Sequence, residues 1–219
     1  MPLQNLHMTA LEITHSVTAP EITSLLTLLD PLIPAMTNLP HTHRPRLIKP
    51  LVSYDSSALA LSFLPAAGEG LPVTPNPQSD TPPARQAADD TYTYHHLRRD
   101  LYAMAQSAGV RIESRYVVPS AHITIGRFLT QNDHDSQEKM EAWVREIEAV
   151  NEWLEGELWP RAMERGEEGG AGKERGHCGQ REWIPEGGEW VIGEGKGLCL
   201  RKGVLWYGGG ETVRLGKGF

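Results

Sequence analysis

A chain of 219 residues is long enough for one domain with a substantial core, or for one domain of two lobes. Its formal charge of −7, from 21 Lys and Arg against 28 Asp and Glu, argues against the broad basic surface that duplex nucleic acid requires. Cys178 and Cys199 are too few for a disulfide framework and form no zinc-type pair. No stretch approaches the ~18 apolar residues of a membrane span, and the first residues lack a signal-peptide pattern. The expectation is a soluble intracellular protein, cytoplasmic or nuclear.

Taken in order, residues 3–16 read as a strand. Thr18-Ala19-Pro20-Glu21 then has the spacing of a capping box, with Ile22, Leu25, Leu26 and Leu29 recurring at helical intervals. Pro31 and Pro34 end or kink that helix, and residues 41–50 read as a loop feeding the next strand. Residues 58–64 form a short apolar run of strand length. Residues 65–90 are rich in Pro, Gly, Ala and Asp and read as a mobile insertion. A helix through Ser107 follows, capped by Asp90 or Thr91, with Tyr94, Leu97, Leu101 and Met104 on one stripe and Gly109 as its stop.

A strand at 121–128 leads to an acidic helix over 136–158. Met140, Trp143, Val144, Ile147, Val150 and Leu154 mark its buried face. Residues 163–180 have linker composition and read as a second mobile insertion. From Glu189 the chain alternates strand-like runs with turn glycines, the pattern of an antiparallel meander. Strands and helices alternate and strands then close the chain, so the expected class is α+β in a single domain over 1–219.

Two of these strands share a pattern. Side chains alternate faces along a strand, so His7 and Thr9 share one face in Leu6-His7-Met8-Thr9-Ala10. His122 and Thr124 do the same in Ala121-His122-Ile123-Thr124-Ile125. A third match, His134-Asp135-Ser136, sits in a polar run before a helix, where Ser136 or Asp135 serves more naturally as a cap. Paired imidazoles suit a definite chemistry. Opening a cyclic phosphodiester in line needs a base on the attacking water and an acid on the leaving oxygen. Two imidazoles supply both near neutral pH, one neutral and one protonated, and flanking hydroxyls bind the oxygens on which charge builds. Neither a metal nor another cofactor is required.

Other candidates carry competing readings. Arg127 is a possible phosphate contact or a partner for an acidic neighbour. Trp206 and Tyr207, ahead of a glycine run, offer faces on which a base stacks, although aromatic residues in a terminal strand are more often core. His41-Thr42-His43 and His95-His96 lack carboxylates at ligand spacing, so no metal site is expected there. The glycine runs at 168–170 and 208–210 do not make a phosphate-binding loop.

The stretches Asn5-Leu6-His7-Met8-Thr9-Ala10-Leu11-Glu12 and Pro119-Ser120-Ala121-His122-Ile123-Thr124-Ile125-Gly126-Arg127 resemble the 2H phosphoesterase superfamily, and look closest to its fungal members. This group contains proteins similar to 2′-5′ RNA ligases and cyclic nucleotide phosphodiesterases. The resemblance implies a bilobal fold, with two antiparallel sheets facing a central cleft and helices outside. It implies His7 and His122 as acid and base, and Thr9 and Thr124 as phosphate ligands. The implied activity is metal-independent hydrolysis of a 2′,3′-cyclic phosphate or related RNA phosphodiester. The alternatives are 2′-5′ ligation at the same site, or non-catalytic binding of a nucleotide or RNA. Six residues precede His7 where relatives carry a further segment, so a first lobe shortened at its N-terminus is expected. The implied partner is a nucleotide or an RNA end, with neither duplex nucleic acid nor a membrane; the oligomeric state is left open.

Overall fold

The structure, a computed structural model, describes residues 2–71, 85–115, 120–162, 182–205 and 209–219. Helices α1 (Ala19–Leu29) and α2 (Ile33–Thr42) lead to strands β1 (Arg46–Tyr54) and β2 (Ala58–Pro65). Helix α3 (Tyr94–Ser107), strand β3 (Ala121–Arg127) and helix α4 (Gln137–Leu158) follow. Strands β4 (Arg161–Ala162), β5 (Glu182–Trp183), β6 (Glu189–Val191), β7 (Lys196–Lys202) and β8 (Glu211–Lys217) complete the order. The class is α+β.

The main sheet is antiparallel, in the order β3-β2-β1-β6. Its β1–β2 turn is closed by Asp55, whose Oδ1 accepts the Ser57 and Ala58 N–H groups at 2.7 and 2.9 Å. Leu47, Phe63 and Ala121 on one face pack against Leu29, Ile33 and Met36 of α1 and α2 and against Leu97, Leu101 and Ala105 of α3. The α3 stripe is therefore as expected, and Gly109 ends that helix region at φ +78°. The α1 cap also holds, since Glu21 Oε2 accepts from Thr18 N and Oγ1 at 2.6 and 2.7 Å. Among the described residues no single helix is long and apolar enough to cross a membrane; α1 and α2 meet at a 62° bend across Pro31.

Several expectations are corrected. Residues 3–16 are not a strand: Leu3–Asn5 form a 3-10 turn, and the extended chain beyond makes one ladder bridge, Met8 to Ile123. The loop expected at 41–50 is the end of α2 and the start of β1. The meander divides, because β6 joins the main sheet while β7 and β8 form a separate ribbon on α2. That ribbon approaches so closely that a Cβ at Gly216 or Gly197 would run into the Thr37 carbonyl. Val204 and Leu205 lie in no strand and are exposed.

On α4, Met140 and Val150 are 40% and 43% exposed instead of buried. The inward positions are Trp143, Val144, Ile147, Asn151, Leu154 and Leu158. The polar Asn151 has a task there. Its Oδ1 accepts the Val52 N–H at 2.6 Å and its Nδ2 donates to the Val52 carbonyl at 3.0 Å. Trp159 Nε1 donates to the Pro50 carbonyl at 3.0 Å. Together they cover the β1 edge beyond the short β6, where an open strand would otherwise invite association.

The insertion expected at 65–90 is built into the fold at both flanks; residues 72–84 and 163–181 lie outside the described residues. Buried Arg46 donates from Nη2 to Asp90 Oδ2 at 2.7 Å and to the Glu69 carbonyl at 2.6 Å, and from Nη1 to Glu189 Oε2 at 3.0 Å. Arg85 Nε and the Gly68 N–H reach the same Asp90 carboxylate at 2.9 and 2.8 Å. Burial alone raises the Asp90 pKa, but the bonds from Arg46, Gly68 and Arg85 outweigh it and hold the carboxyl below its ordinary range.

Candidate active site

The first His-x-Thr triplet lies directly beside the second. Met8 is the antiparallel partner of Ile123, so one step to either side His7 faces Thr124 and Thr9 faces His122. Residues opposite each other share a face, and so do i and i+2 on one strand. All four side chains therefore lie on one face, with Met8 and Ile123 on the other. A local two-fold through the Met8–Ile123 pair exchanges the two triplets. The diagonal between His7 and His122 corresponds to ~7–8 Å between Cα atoms.

Each histidine is held in the same way. His7 Nδ1 lies 2.8 Å from the Asn5 carbonyl, and His122 Nδ1 lies 3.3 Å from the Ser120 carbonyl and 2.9 Å from Ser120 Oγ. A carbonyl only accepts, so the Asn5 contact calls for a protonated Nδ1 in His7; the Ser120 hydroxyl can donate or accept, so His122 can satisfy its Nδ1 in either tautomer. His7 is exposed and His122 half-buried.

The first triplet is positioned by contacts that stand in for the missing strand ladder. Tyr94, buried at the start of α3, donates its hydroxyl to the Thr9 carbonyl at 2.8 Å. Burial pushes its phenol pKa up against the opposing effect of Arg98, so the group stays a donor. Glu12 Oε1 accepts from Arg115 Nη2 at 2.6 Å, its Oε2 accepts from the Arg115 N–H at 2.7 Å, and Glu113 N donates to the Ile13 carbonyl at 2.9 Å. Burial works to raise the Glu12 pKa, and the bonds from Arg115 hold it below the ordinary range.

Arg127 joins the same face through an irregularity in β3. His122 pairs with Ser62 and Thr124 with Ala60, but the next partners are Gly126 with Leu59 and Arg127 with Ala58. Ile125 is the extra residue of a β-bulge. Simple alternation would put Arg127 opposite His122 and Thr124; the bulge turns it onto their face.

Trp206 and Tyr207 lie outside the described residues. His41 Nδ1 bonds the Gly218 carbonyl at 2.8 Å, and the His43 ring packs on Tyr92. His96 belongs to the cap of α3, where its Nδ1 accepts the Thr93 N–H at 3.1 Å. Among the described residues no group of three or more His, Cys, Asp and Glu is arranged to hold a metal ion. A hollow of about 290 Å³, lined by Tyr54, Phe128, His134 and Trp143 among others, includes none of the candidate residues.

Sequence reasoning missed Tyr94 as the anchor of Thr9, having read it only as core. It also missed the two carbonyl anchors. Their shared signal was in the chain: each lies two residues before its histidine. No family model, no curated protein and no solved structure matches the chain.

Proposed function

We propose that this protein is a metal-independent phosphodiesterase of the 2H type, acting on a 2′,3′-cyclic phosphate or a related RNA phosphodiester. The observation that carries the reading is the Met8–Ile123 bridge, which sets two identical His-x-Thr triplets about a local two-fold. In-line displacement at phosphorus has the matching demand: proton transfer at two oxygens on opposite sides of one atom. In this reading one imidazole accepts the proton of water while the other, protonated at both nitrogens, gives one to the departing sugar oxygen. Thr9 and Thr124 bind the non-bridging oxygens as charge develops, and Arg127 adds a positive charge to that face. The bilobal arrangement and central cleft of the superfamily belong to this same proposal.

The test is incubation with each of the four 2′,3′-cyclic nucleotides, and separately with RNA carrying a cyclic phosphate end and a 5′-hydroxyl. A phosphomonoester product is expected. A joined 2′-5′ product would move the reading to ligation by the reverse chemistry. Affinity for these compounds without turnover, in folded protein, would replace it with a binding role.

A further inference from the structure

The local two-fold is broken by one neighbour. Strand β2 lies beyond β3, and Ser62 is the residue directly opposite His122, so its side chain shares a face with that imidazole. Thr9 flanks His122 on one side and Ser62 on the other. Around His7 the sole cross-strand hydroxyl given by the register is that of Thr124.

Ser62 is also held in place. Its Oγ lies 2.6 Å from Ser53 Oγ, and Ser53 Oγ lies 3.4 Å from the Ala60 carbonyl. The pair has two settings. With Ser53 turned to the Ala60 carbonyl, Ser62 donates to Ser53. With Ser53 turned to Ser62, the Ser62 proton is released to a ligand oxygen while its own oxygen stays bonded.

We infer that Ser62 is a further substrate-binding residue whose hydroxyl binds the sugar oxygen leaving phosphorus, which makes His122 the acid and His7 the base. This rests on the two-histidine reading above. The leaving oxygen gathers negative charge as its bond to phosphorus lengthens, so it is the oxygen that needs a second donor beside the acid. Attacking water needs an acceptor, which His7 supplies. His7 Nε2 takes one proton from water as the water oxygen bonds to phosphorus. The phosphorus–sugar oxygen bond breaks, its electron pair stays on the sugar oxygen, and that oxygen takes the Nε2 proton of His122. Water is consumed, a phosphomonoester and a free hydroxyl form, and solvent exchange returns both rings to their starting states.

The experiment compares 2′,3′-cyclic uridine monophosphate with bis(4-nitrophenyl) phosphate, whose phenolate departs without an acid and carries no sugar hydroxyl. For Ser62→Ala, kcat/KM on the cyclic nucleotide is expected to fall about tenfold further than on the nitrophenyl diester, as for one lost hydrogen bond to a charged group. Ser62→Thr, which keeps the hydroxyl, restores most of the loss. His122→Ala loses far less on the nitrophenyl diester than on the cyclic nucleotide, while His7→Ala loses equally on both. Equal losses on both substrates for Ser62→Ala, or rescue of His7→Ala in place of His122→Ala, would overturn the inference while leaving the two-histidine reading intact. A folded parent chain that turns over neither substrate would remove both.

Discussion

Replacing Asp90 by alanine tests how the flanks of the 72–84 segment are tied to the sheet. The carboxylate is buried with Arg46, and both side chains are 1% exposed. Removing it leaves Arg46 with Glu189 and the Glu69 carbonyl, leaves Arg85 with only the Arg44 carbonyl, and leaves the Gly68 N–H without its Asp90 acceptor. Breaking a buried pair from one side costs ~3–5 kcal/mol, and the surviving Glu189 contact favours the lower end, about 3 kcal/mol. At ~2–4 °C per kcal/mol for a chain of this size, the melting temperature falls by about 6–12 °C. The pH dependence has a definite sign. Asp90 has a depressed pKa in the folded state, so its contribution is present above the unfolded value of ~3.9 and is lost as pH falls through the folded value. Urea unfolding of parent and variant from pH 3 to 8 measures both effects. A difference below about 1 kcal/mol at pH 7, or one that grows on acidification, would refute this account of the cluster.

Three further outcomes are expected. Tyr94→Phe removes the hydroxyl that holds the Thr9 carbonyl and costs about 1 kcal/mol in urea unfolding, with a larger proportional loss in kcat than in stability. Arg127→Ala raises KM for a cyclic nucleotide about tenfold, and Arg127→Lys recovers part of it, as for one charge-assisted contact in steady-state kinetics. Asn151→Leu keeps the bulk on α4 but leaves the Val52 N–H and carbonyl unpaired, at a cost of about 2 kcal/mol, and light scattering shows increased self-association through the uncovered β1 edge.

What the sequence made legible was local. The Thr18–Glu21 cap, the α3 stripe and the alternation in both His-x-Thr segments need only a few neighbouring residues to be read. Helix α2 was hidden by Pro34 and Pro40. Proline at 34 falls in the first turn, where no N–H is needed, while buried Pro40 is held inside the helix by tertiary contact, a Cβ at Gly193 having no room beside it. Asn151 reads as a break in an apolar stripe until the bare edge of β1 is known. The site itself depends on pairings distant in sequence. Nothing near His7 states that Met8 will lie opposite Ile123, and nothing in Ile123-Thr124-Ile125-Gly126-Arg127 shows a bulge until the register with Leu59 and Ala60 is in hand. Ser62 was one residue of an apolar run for the same reason.

The two-histidine claim is tested most directly by hydrolysis of the 2′,3′-cyclic nucleotides in excess chelator, with the parent chain beside His7→Ala and His122→Ala. Turnover by the parent is expected with a bell-shaped pH profile, and each variant is expected to lose ~10²–10⁴-fold. Full activity in either variant, with a flat pH profile, would contradict it.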